Sequence, residues 1–335
     1  MNNIAVFAGS AHRELAQEIC DNLGVPLLPS TVKRFANDCI EVQLQANCRE
    51  KDVFIIHPLV PPVQENLVEL LLMLDAARGA SAARVTTVLP HYAYARSDKK
   101  DAPRISIAAR LVADLLSTAG AGRVLAMTLH SPQVHGFFGI PVDHLHALFE
   151  LAGHFRGLDL SNTVIVSPDL GNAKEAASFS RMLGVPMAAA TKQRLAADQI
   201  AITSIIGDVE GRDVIVLDDE IARGSTVLGL LDELRARNVR SVRVACTHGL
   251  FTDGAVEKLT AAPDVVELVC TNTVPIPASK RTDKLTVISV APALAEAIRR
   301  IHKGESVSAL FEVNQVALVD AADPHADAPG AGEPQ

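Results

Sequence analysis

The stretch VIVLDDEIARGSTV, residues 214–227, decides the fold of this chain. Four apolar residues lead into the acids Asp218 and Asp219, and small residues around Gly224 then precede a helical pattern. A short, continuous apolar run is typical of a buried parallel strand, and ligands bind beyond the carboxyl ends of such strands. The two acids suit sugar hydroxyls or a metal-bound group, and the small residues suit an anion-binding turn. In isolation, an ordinary strand-to-helix loop with Asp and Ser caps explains the same residues.

The composition indicates a globular protein with room for two domains. The chain has 335 residues, of which 48% are hydrophobic and 21% charged. Its net charge of −8, without a long basic run, argues against nucleic acid or an anionic membrane as a partner. No apolar run approaches the ~18–20 residues of a membrane helix, and no leader pattern precedes the first apolar run. Five cysteines without C-x-x-C spacing argue against a disulfide framework, so we expect a cytoplasmic protein.

Short apolar runs alternate with amphipathic stretches of helical length along the chain. This alternation predicts β-α-β units, and therefore an α/β fold with parallel sheets flanked by helices. Strands are predicted at residues 4–8, 53–56, 85–89, 124–129, 163–166, 214–217, 242–246, 266–270 and 285–290. Helices are predicted at residues 13–23, 66–78, 105–118 and 227–237.

An internal repeat indicates how these units are grouped. LDAARGASAARVTTVLP, from Leu74, aligns without a gap with LDELRARNVRSVRVACT, from Leu231. In both segments a helix leads through a turn into a strand, which starts at Val85 or Val242. The repeat predicts two similar α/β domains, at residues 1–145 and 146–313. Residues 314–335 are rich in Ala, Pro, Gly and Asp, which is the composition of a disordered tail.

Two charged motifs follow predicted strands in the first half. Arg96 and Lys99 belong to a local cationic cluster that suits a triphosphate, although most such clusters are solvated loops. His130 directly follows the strand at residues 124–129. A histidine there can bind a metal, contact a phosphate, or simply hydrogen-bond within its own loop.

Two more motifs lie in the second half. Asp169 follows the strand at residues 163–166 and suits either a magnesium ligand or a helix N-cap. Lys192 and Arg194 are two positions apart in an extended segment, so their side chains point to the same side. They can neutralise charge on a transferring phosphoryl group, and a solvated surface loop explains them equally well in isolation.

Taken together and in this order, the motifs resemble ribose-phosphate pyrophosphokinase, also called phosphoribosyl pyrophosphate synthetase. The resemblance runs from residue 4 to residue 313. It is carried by FAGS, RFANDCIEVQ, NCREKDVFIIHP, YARSDKKDAPRISIAARLVADLLS, LHSPQVHGFFGIPVD, SPDLGN, IIGDVEGRDVIVLDDE, AEAIRRIH and ESVSALFE. The chain is identified as a divergent member of this family.

The resemblance implies a fold, a reaction and an assembly. The family has two phosphoribosyltransferase-like α/β domains and acts in nucleotide biosynthesis. With Mg2+ as cofactor, it transfers the β,γ-pyrophosphoryl group of ATP to the 1-hydroxyl of ribose 5-phosphate, giving phosphoribosyl pyrophosphate and AMP. We therefore expect an enzyme that binds ATP or another nucleoside triphosphate and forms a homo-oligomer, either a hexamer or a dimer-based assembly.

The resemblance also implies roles for individual residues. Lys192 and Arg194 match the catalytic Lys-x-Arg pair of a flexible loop, and His130 and Asp169 match magnesium-site positions. Nucleotide contacts fall on Phe35, Asn37, Cys39, Arg96, Ser97, Lys99 and His130, with segment 35–41 reaching into a neighbouring subunit's site. Ribose 5-phosphate contacts fall on Asp218, Asp219, Ala222, Arg223, Gly224, Ser225 and Thr226. An allosteric site between subunits would include Arg49, Ser81, Ser306 and Ser308.

Five departures from the family pattern affect this expectation. The phosphate loop usually reads Asp-Thr-Gly-Gly-Thr, whereas residues 222–226 read Ala-Arg-Gly-Ser-Thr. The adenine segment usually carries Asp and Glu around a Gly, whereas residues 37–39 read Asn-Asp-Cys. The other three are single positions: Thr128 replaces an Asp near the metal, Ser97 replaces a Gln, and Asn172 replaces the second Gly of Pro-Asp-x-Gly-Gly.

These departures leave three alternatives beside the pyrophosphokinase. The first is a pyrophosphokinase with altered nucleotide or sugar-phosphate preference. The second is a non-catalytic subunit that regulates an active paralogue. The third is a phosphoribosyltransferase, which shares the acidic pair and phosphate loop but has only one such domain. Retention of Lys192, Arg194, His130, Asp169 and Asp218 together favours an enzyme.

Overall fold

The structure, a computed structural model, describes residues 3–196 and 199–308, and only the backbone where it describes residues 192–203. The predicted tail at residues 314–335 lies outside this range. The strands are β1 (Ile4–Ala8), β2 (Leu27–Leu28), β3 (Ser30–Arg34), β4 (Ile40–Leu44), β5 (Asp52–Ile56), β6 (Arg84–Leu89), β7 (Arg123–Met127), β8 (Val142–Leu145), β9 (Thr163–Ser167), β10 (Met187–Ala196), β11 (Gln199–Ile206), β12 (Asp213–Ile221), β13 (Ser241–Gly249), β14 (Val265–Thr271) and β15 (Leu285–Ile288). The helices are α1 (Arg13–Leu23), α2 (Val63–Gly79), α3 (Ala108–Ala119), α4 (Leu148–Phe155), α5 (Ala173–Leu183), α6 (Ser225–Ala236), α7 (Ala255–Ala261) and α8 (Ala291–Lys303), with 3₁₀ turns at Ala93–Arg96, Pro132–Phe137 and Ala278–Lys280.

The predicted α/β class with parallel sheets flanked by helices is confirmed. The first sheet has the order β2-β1-β5-β6-β7-β8, and all of its strand pairs are parallel. The second sheet has the order β11-β10-β9-β12-β13-β14-β15, parallel except for the antiparallel pair β10–β11. Both faces of each sheet are covered, because alternate strand residues belong to different core clusters.

All nine predicted strands and all four predicted helices exist, with shifted ends. The helix predicted from residue 105 begins instead at Ala108, because the Ala108 N–H donates to Ser97 Oγ at 3.2 Å and the Ala109 N–H to the Ser97 carbonyl at 3.2 Å. The hairpin β3–β4 was not predicted. Its strands are partly exposed and carry no continuous apolar run, so the pattern used for buried strands does not detect them.

The internal repeat corresponds to two equivalent β-α-β units. In the first, β5 leads through α2 into β6, and in the second, β12 leads through α6 into β13. Each pair of strands is adjacent and parallel. Each unit also carries an Asp–Arg ion pair at its amino edge, Asp52 with Arg84 and Asp213 with Arg240. The sequence repeat is therefore a structural repeat.

The two halves share a core through the last helix. Helix α8 packs against α1 and the first sheet, where Leu294 and Ile298 join Leu15 and Ile19 in one buried cluster. The division between residues 145 and 146 stays a prediction, and by packing α8 lies with the first half. No helix in the described part of the chain is long and apolar enough to span a bilayer.

Candidate active site

The candidate residues of both halves lie at the carboxyl ends of parallel strands. His91 follows β6 and His130 follows β7, while Asp169 follows β9 and Asp219 lies near the end of β12. Two of the contacts that join the halves involve these histidines: His130 Nδ1 lies 2.6 Å from Asp219 Oδ2, and His91 Nε2 lies 3.1 Å from Glu220 Oε2. The carboxyl edges of the two sheets therefore meet, and the candidate site lies between them.

The His130–Asp219 contact is a charged hydrogen bond. Burial alone raises the pKa of Asp219, but the hydrogen bond and the charge of His130 outweigh it and lower this pKa to about 2. The same hydrogen bond raises the pKa of His130 against the effect of burial. Because His130 donates through Nδ1, its Nε2 faces away from the carboxylate. A histidine oriented in this way by a carboxylate is typical of metal-binding histidines.

Asp218 and Asp169 are two further carboxyl groups beside this pair. Burial, followed by the charges of Asp219 and Asp169, raises the pKa of Asp218 well above its ordinary value. Asp218 Oδ1 accepts the Asp219 N–H at 2.9 Å, and Asp169 Oδ1 accepts the Asn172 N–H at 3.0 Å. Carboxylates that oppose each other's ionisation in this way favour a bound cation, which would lower the pKa of Asp218 again.

This donor set fits magnesium better than a metal held by the protein alone. Within the described ranges, no group of three or more His, Cys, Asp or Glu side chains is arranged to hold a metal ion. Mg2+ commonly binds through one or two carboxylates together with substrate phosphates and waters. Asp169 has such a carboxylate, and His130 Nε2 is a nitrogen that can bind a metal. Both side chains therefore have suitable ligand atoms, and their predicted magnesium role stays a prediction.

The predicted phosphate loop joins β12 to α6. Gly224 has φ of +75° and precedes the first helical residue, Ser225, and no side chain caps this helix end. The first N–H groups of α6, which include that of Thr226, therefore have no partner within the helix and suit an anion. Ser225 has no positive φ. The missing second Gly of the family pattern thus imposes no backbone strain.

Arg223 and Ala222 tie this loop to the β13–α7 connection. Arg223 Nε lies 2.9 Å from Asp253 Oδ2, and both side chains are largely exposed. The Thr252 N–H donates to the Ala222 carbonyl at 2.9 Å, and the Phe251 N–H donates to residue 221 at 3.1 Å. Arg223 thus takes part in an exposed ion pair with the β13–α7 connection.

Of the predicted nucleotide-contact residues at positions 96–99, one lies at the candidate site and the other two lie elsewhere. Arg96 lies at the site, where its Nε is 3.4 Å from Glu220 Oε1. Ser97 instead caps α3, and its hydroxyl also donates to the Ser106 carbonyl at 3.3 Å. Lys99 is exposed and lies 3.9 Å from Asp101. Of these residues, Arg96 has the recorded contact with the second half.

Phe35, Asn37 and Cys39 lie in the turn of the β3–β4 hairpin. The Phe35 N–H donates to the Cys39 carbonyl at 2.8 Å, and Asn37 Oδ1 accepts the Cys39 N–H at 3.3 Å. The turn is exposed and is tied to α2 by the Arg34–Glu65 ion pair. Across residues 3–196 and 199–308, no recorded hydrogen bond joins this turn to the phosphate loop.

The side chains of Lys192 and Arg194 lie outside what the structure describes. Their backbone belongs to β10, which pairs antiparallel with β11, so this segment is a strand and not the predicted loop. Strand β10 also pairs with β9 up to Ala189 and Ser167. The chain therefore reaches Lys192 just beyond the sheet edge that carries Asp169.

The possible allosteric residues lie at the opposite edge of the first sheet. Arg49 and Ser81 are brought together by the Glu50 N–H, which donates to the Ser81 carbonyl at 2.9 Å. A cavity of about 360 Å³ lies beside Arg49, between β4 and α2. The end of α8 reaches this edge, where His302 Nδ1 lies 2.9 Å from Asp52 Oδ2. Ser306 and Ser308 follow α8, so all four residues belong to the amino edge.

Sequence reasoning missed three residues at the site, namely His91, Glu220 and Glu175. Glu175 lies in the first turn of α5, 3.7 Å from His146 Nδ1. Burial and the charge of Asp219 raise the pKa of Glu175 to about 7, with His130 opposing. The sequence could have indicated Glu175, because it lies in the first turn of a helix that follows a strand whose carboxyl end carries a site residue.

Comparison with known proteins agrees with this geometry. A family model described as the N-terminal domain of ribose phosphate pyrophosphokinase matches residues 4–120, and one described as a phosphoribosyl synthetase-associated domain matches residues 194–312. A Streptomyces coelicolor protein assigned to the same family is 71% identical over 312 residues, covering 93% of this chain and 98% of that one. The Deinococcus radiodurans ribose-phosphate pyrophosphokinase is 49% identical, covering 92% and 98%.

The solved structures give the same result. The crystal structure of phosphoribosylpyrophosphate synthetase from Mycobacterium smegmatis superposes with a TM-score of 0.84 at 40% identity. The match covers 90% of this chain and 99% of that one. The chain belongs to the ribose-phosphate pyrophosphokinase family.

Proposed function

We propose that the protein transfers the β,γ-pyrophosphoryl group of ATP, or of another nucleoside triphosphate, to the 1-hydroxyl of ribose 5-phosphate. The products are phosphoribosyl pyrophosphate and AMP. The observation that carries this proposal is the 2.6 Å contact between His130 and Asp219. It brings the carboxyl edge of the first sheet, which carries Arg96, against the second-half loop that suits a sugar phosphate, in a chain of this family.

The sugar phosphate binds at the end of β12 in this proposal. The N-terminus of α6 receives the 5-phosphate, because its backbone N–H groups and partial positive charge favour an anion. Ser225 and Thr226 add hydroxyl donors at the same helix end. The carboxylates of Asp218 and Asp219 accept hydrogen bonds from ribose hydroxyls, which orients the 1-hydroxyl toward the first half.

The triphosphate binds on the first-half side, where Arg96 contributes positive charge. Mg2+, held by Asp169 and His130, would neutralise charge on the β- and γ-phosphates. Lys192 and Arg194 stabilise the charge that develops during transfer, as cations placed near a transferring group do. Phosphoryl transfer needs little covalent participation by protein side chains, so positioning and electrostatics provide most of the rate.

The test is a direct assay of both products. The purified protein is incubated with ribose 5-phosphate, Mg2+ and a panel of nucleoside triphosphates, and AMP or its analogue is quantified together with the pyrophosphorylated sugar. We expect equal amounts of both products and none without the sugar phosphate. Absence of the nucleoside monophosphate with every triphosphate, sugar phosphate and phosphate concentration tried would refute the proposal.

A regulatory subunit is the second candidate function, motivated by the altered residues 37–39 and 222–225. It predicts that the isolated protein is inactive and that it co-purifies from its source with a second chain of the family. Activity of the isolated protein excludes it.

We also propose a homo-oligomer, a hexamer or a dimer-based assembly, in the cytoplasm. In the part of the chain that the structure describes, the exposed turn with Phe35 makes no hydrogen bond to the phosphate loop, which supports a nucleotide contact in the site of a second copy. All five cysteines are free, which suits a reducing compartment. Light scattering tests the assembly, and a monomer would contradict it.

A further inference from the structure

Glu220 is an acid of β12 that contacts the first half through two different residues. Its Oε2 lies 3.1 Å from His91 Nε2, and its Oε1 lies 3.4 Å from Arg96 Nε. Arg96 Nη2 also donates to the Glu220 carbonyl at 3.3 Å. The side chain of Glu220 is 11% exposed and that of His91 2%. One carboxylate thus joins a buried histidine and a half-exposed arginine across the boundary between the sheets.

The contacts of His91 define the charge of this cluster. Its Nδ1 lies 2.7 Å from the Leu59 carbonyl, which only accepts, so Nδ1 donates. Burial raises the pKa of Glu220, but the hydrogen bond from His91 and the charge of Arg96 outweigh it and lower this pKa. The carboxylate of Glu220 is therefore ionised, and it lies between the ring of His91 and the guanidinium of Arg96.

The position of His91 is itself fixed by packing. The ring of His248 contacts it edge-on, with 4.9 Å between centroids. His248 is buried, and its Nε2 lies 2.9 Å from the carbonyl of Thr128, two residues before His130. Burial lowers the pKa of His248 to about 4. A neutral ring held between the two halves therefore packs against the ring of His91.

Arg96 is anchored along one edge of its guanidinium. Its Nε and Nη2 contact Glu220, yet 49% of its side chain is exposed. Burial raises the pKa of Asp218 and the Asp219 hydrogen bond raises that of His130, and the charge of Arg96 opposes both, so the guanidinium lies close to the predicted ligands of substrate and metal. A long side chain that is already fixed loses less rotamer freedom when a ligand binds.

We propose that Glu220 is a positioning residue, which together with His91 holds Arg96 in the orientation that contacts the phosphates of the nucleotide. This inference rests on the proposed function, since it takes Arg96 as a nucleotide contact. A purely stabilising role is the weaker explanation, because buried ion pairs contribute little net stability compared with apolar residues of similar size. What the cluster does provide is a fixed geometry.

The test is a double-mutant cycle read by nucleotide binding. Glu220→Gln keeps the size of the side chain and removes its charge, and Arg96→Ala removes the group that Glu220 is proposed to hold. Calorimetry measures the affinity for a non-hydrolysable ATP analogue with Mg2+. We expect Glu220→Gln to weaken binding about tenfold in the wild-type background and less than about twofold in the Arg96→Ala background. The exposed Glu210→Gln at the other end of β12 should bind as the wild type does.

Two results would overturn the inference: an unchanged affinity in Glu220→Gln, or an equal loss in both backgrounds. If Glu220→Gln does not fold, Glu220→Asp replaces it in the same double-mutant cycle. Glu220→Asp keeps the negative charge but has a shorter side chain. Turnover separates this inference from the proposed reaction. Active wild type with an unchanged Glu220→Gln affinity refutes the positioning role alone, whereas inactive wild type with the expected affinity loss refutes the reaction alone.

Discussion

Replacing Glu175 with Gln is expected to stabilise the protein at alkaline pH and to change its stability little at acidic pH. Burial and the charge of Asp219 raise the pKa of Glu175 from 4.5 to about 7. The folded chain therefore binds this proton more tightly than the unfolded chain does. Stability contributed by the protonated group is fully present below about pH 4.5 and is lost as the pH rises toward about 7.

The magnitude follows from the two pKa values. A difference between 4.5 and about 7 corresponds to about 3 kcal/mol once the group is fully ionised in both states. Only 24% of the side chain is exposed, so solvent screening removes little of this cost. Gln has the same shape and no charge to bury. Relative to wild type, its free energy of unfolding should thus rise by about 2–3 kcal/mol between about pH 5 and about pH 8.

Urea denaturation of both proteins across this pH range, with a chelator present, measures the difference directly. The comparison with wild type cancels the titration of other groups that the substitution leaves unchanged. Glu210→Gln, an exposed change of the same type, serves as the control for the substitution itself. A difference for Glu175→Gln that varies by less than about 1 kcal/mol over the range would refute the reasoning.

Three further substitutions test the loop and the catalytic pair. Arg223→Ala is expected to lower the free energy of unfolding by less than about 1 kcal/mol, because its ion pair with Asp253 is exposed. A loss above about 2 kcal/mol in urea denaturation would contradict this. Gly224→Ala is expected to raise the KM for ribose 5-phosphate about fivefold or more, because a Cβ at φ +75° costs about 1 kcal/mol and would lie 3.4 Å from Leu259 Cδ1. An unchanged KM in steady-state assays would show that the loop tolerates a side chain there. Lys192→Ala is expected to lower kcat at least about hundredfold through loss of charge stabilisation, and near wild-type turnover would remove its catalytic role.

The strands, and the carboxyl edge at which the site lies, could be predicted because each strand has its own local sequence pattern. The residues of β12, for example, are apolar from Val214 to Leu217 and then acidic, which places the acids at the carboxyl end without any knowledge of the partner sheet. Contacts between the halves could not be predicted in this way. Glu220 and His91 are separated by 129 residues and meet only because the two carboxyl edges face each other. Neither side chain belongs to a local sequence pattern that predicts this contact.

The departures from the family pattern can be separated by what each side chain contacts. Thr128, where the family usually has Asp, is 2% exposed and accepts the Ala147 N–H on its hydroxyl at 3.1 Å. Asn172, in place of the second Gly, donates to the Leu217 carbonyl at 2.7 Å, and Ser97 caps α3. Each of these polar groups therefore has a hydrogen-bond partner inside the protein, in its own loop, in a neighbouring strand or in the β8–α4 connection.

The same holds for the two altered segments that raised doubt about catalysis. Ser225 begins α6 without positive φ, and Arg223 forms an exposed ion pair with Asp253. Asn37 stabilises its own turn by accepting the Cys39 N–H. The contact that joins the halves at the reaction site, from His130 to Asp219, uses none of these positions. The side chains at these departures that have partners bond within the protein, so the departures are compatible with catalysis by this site.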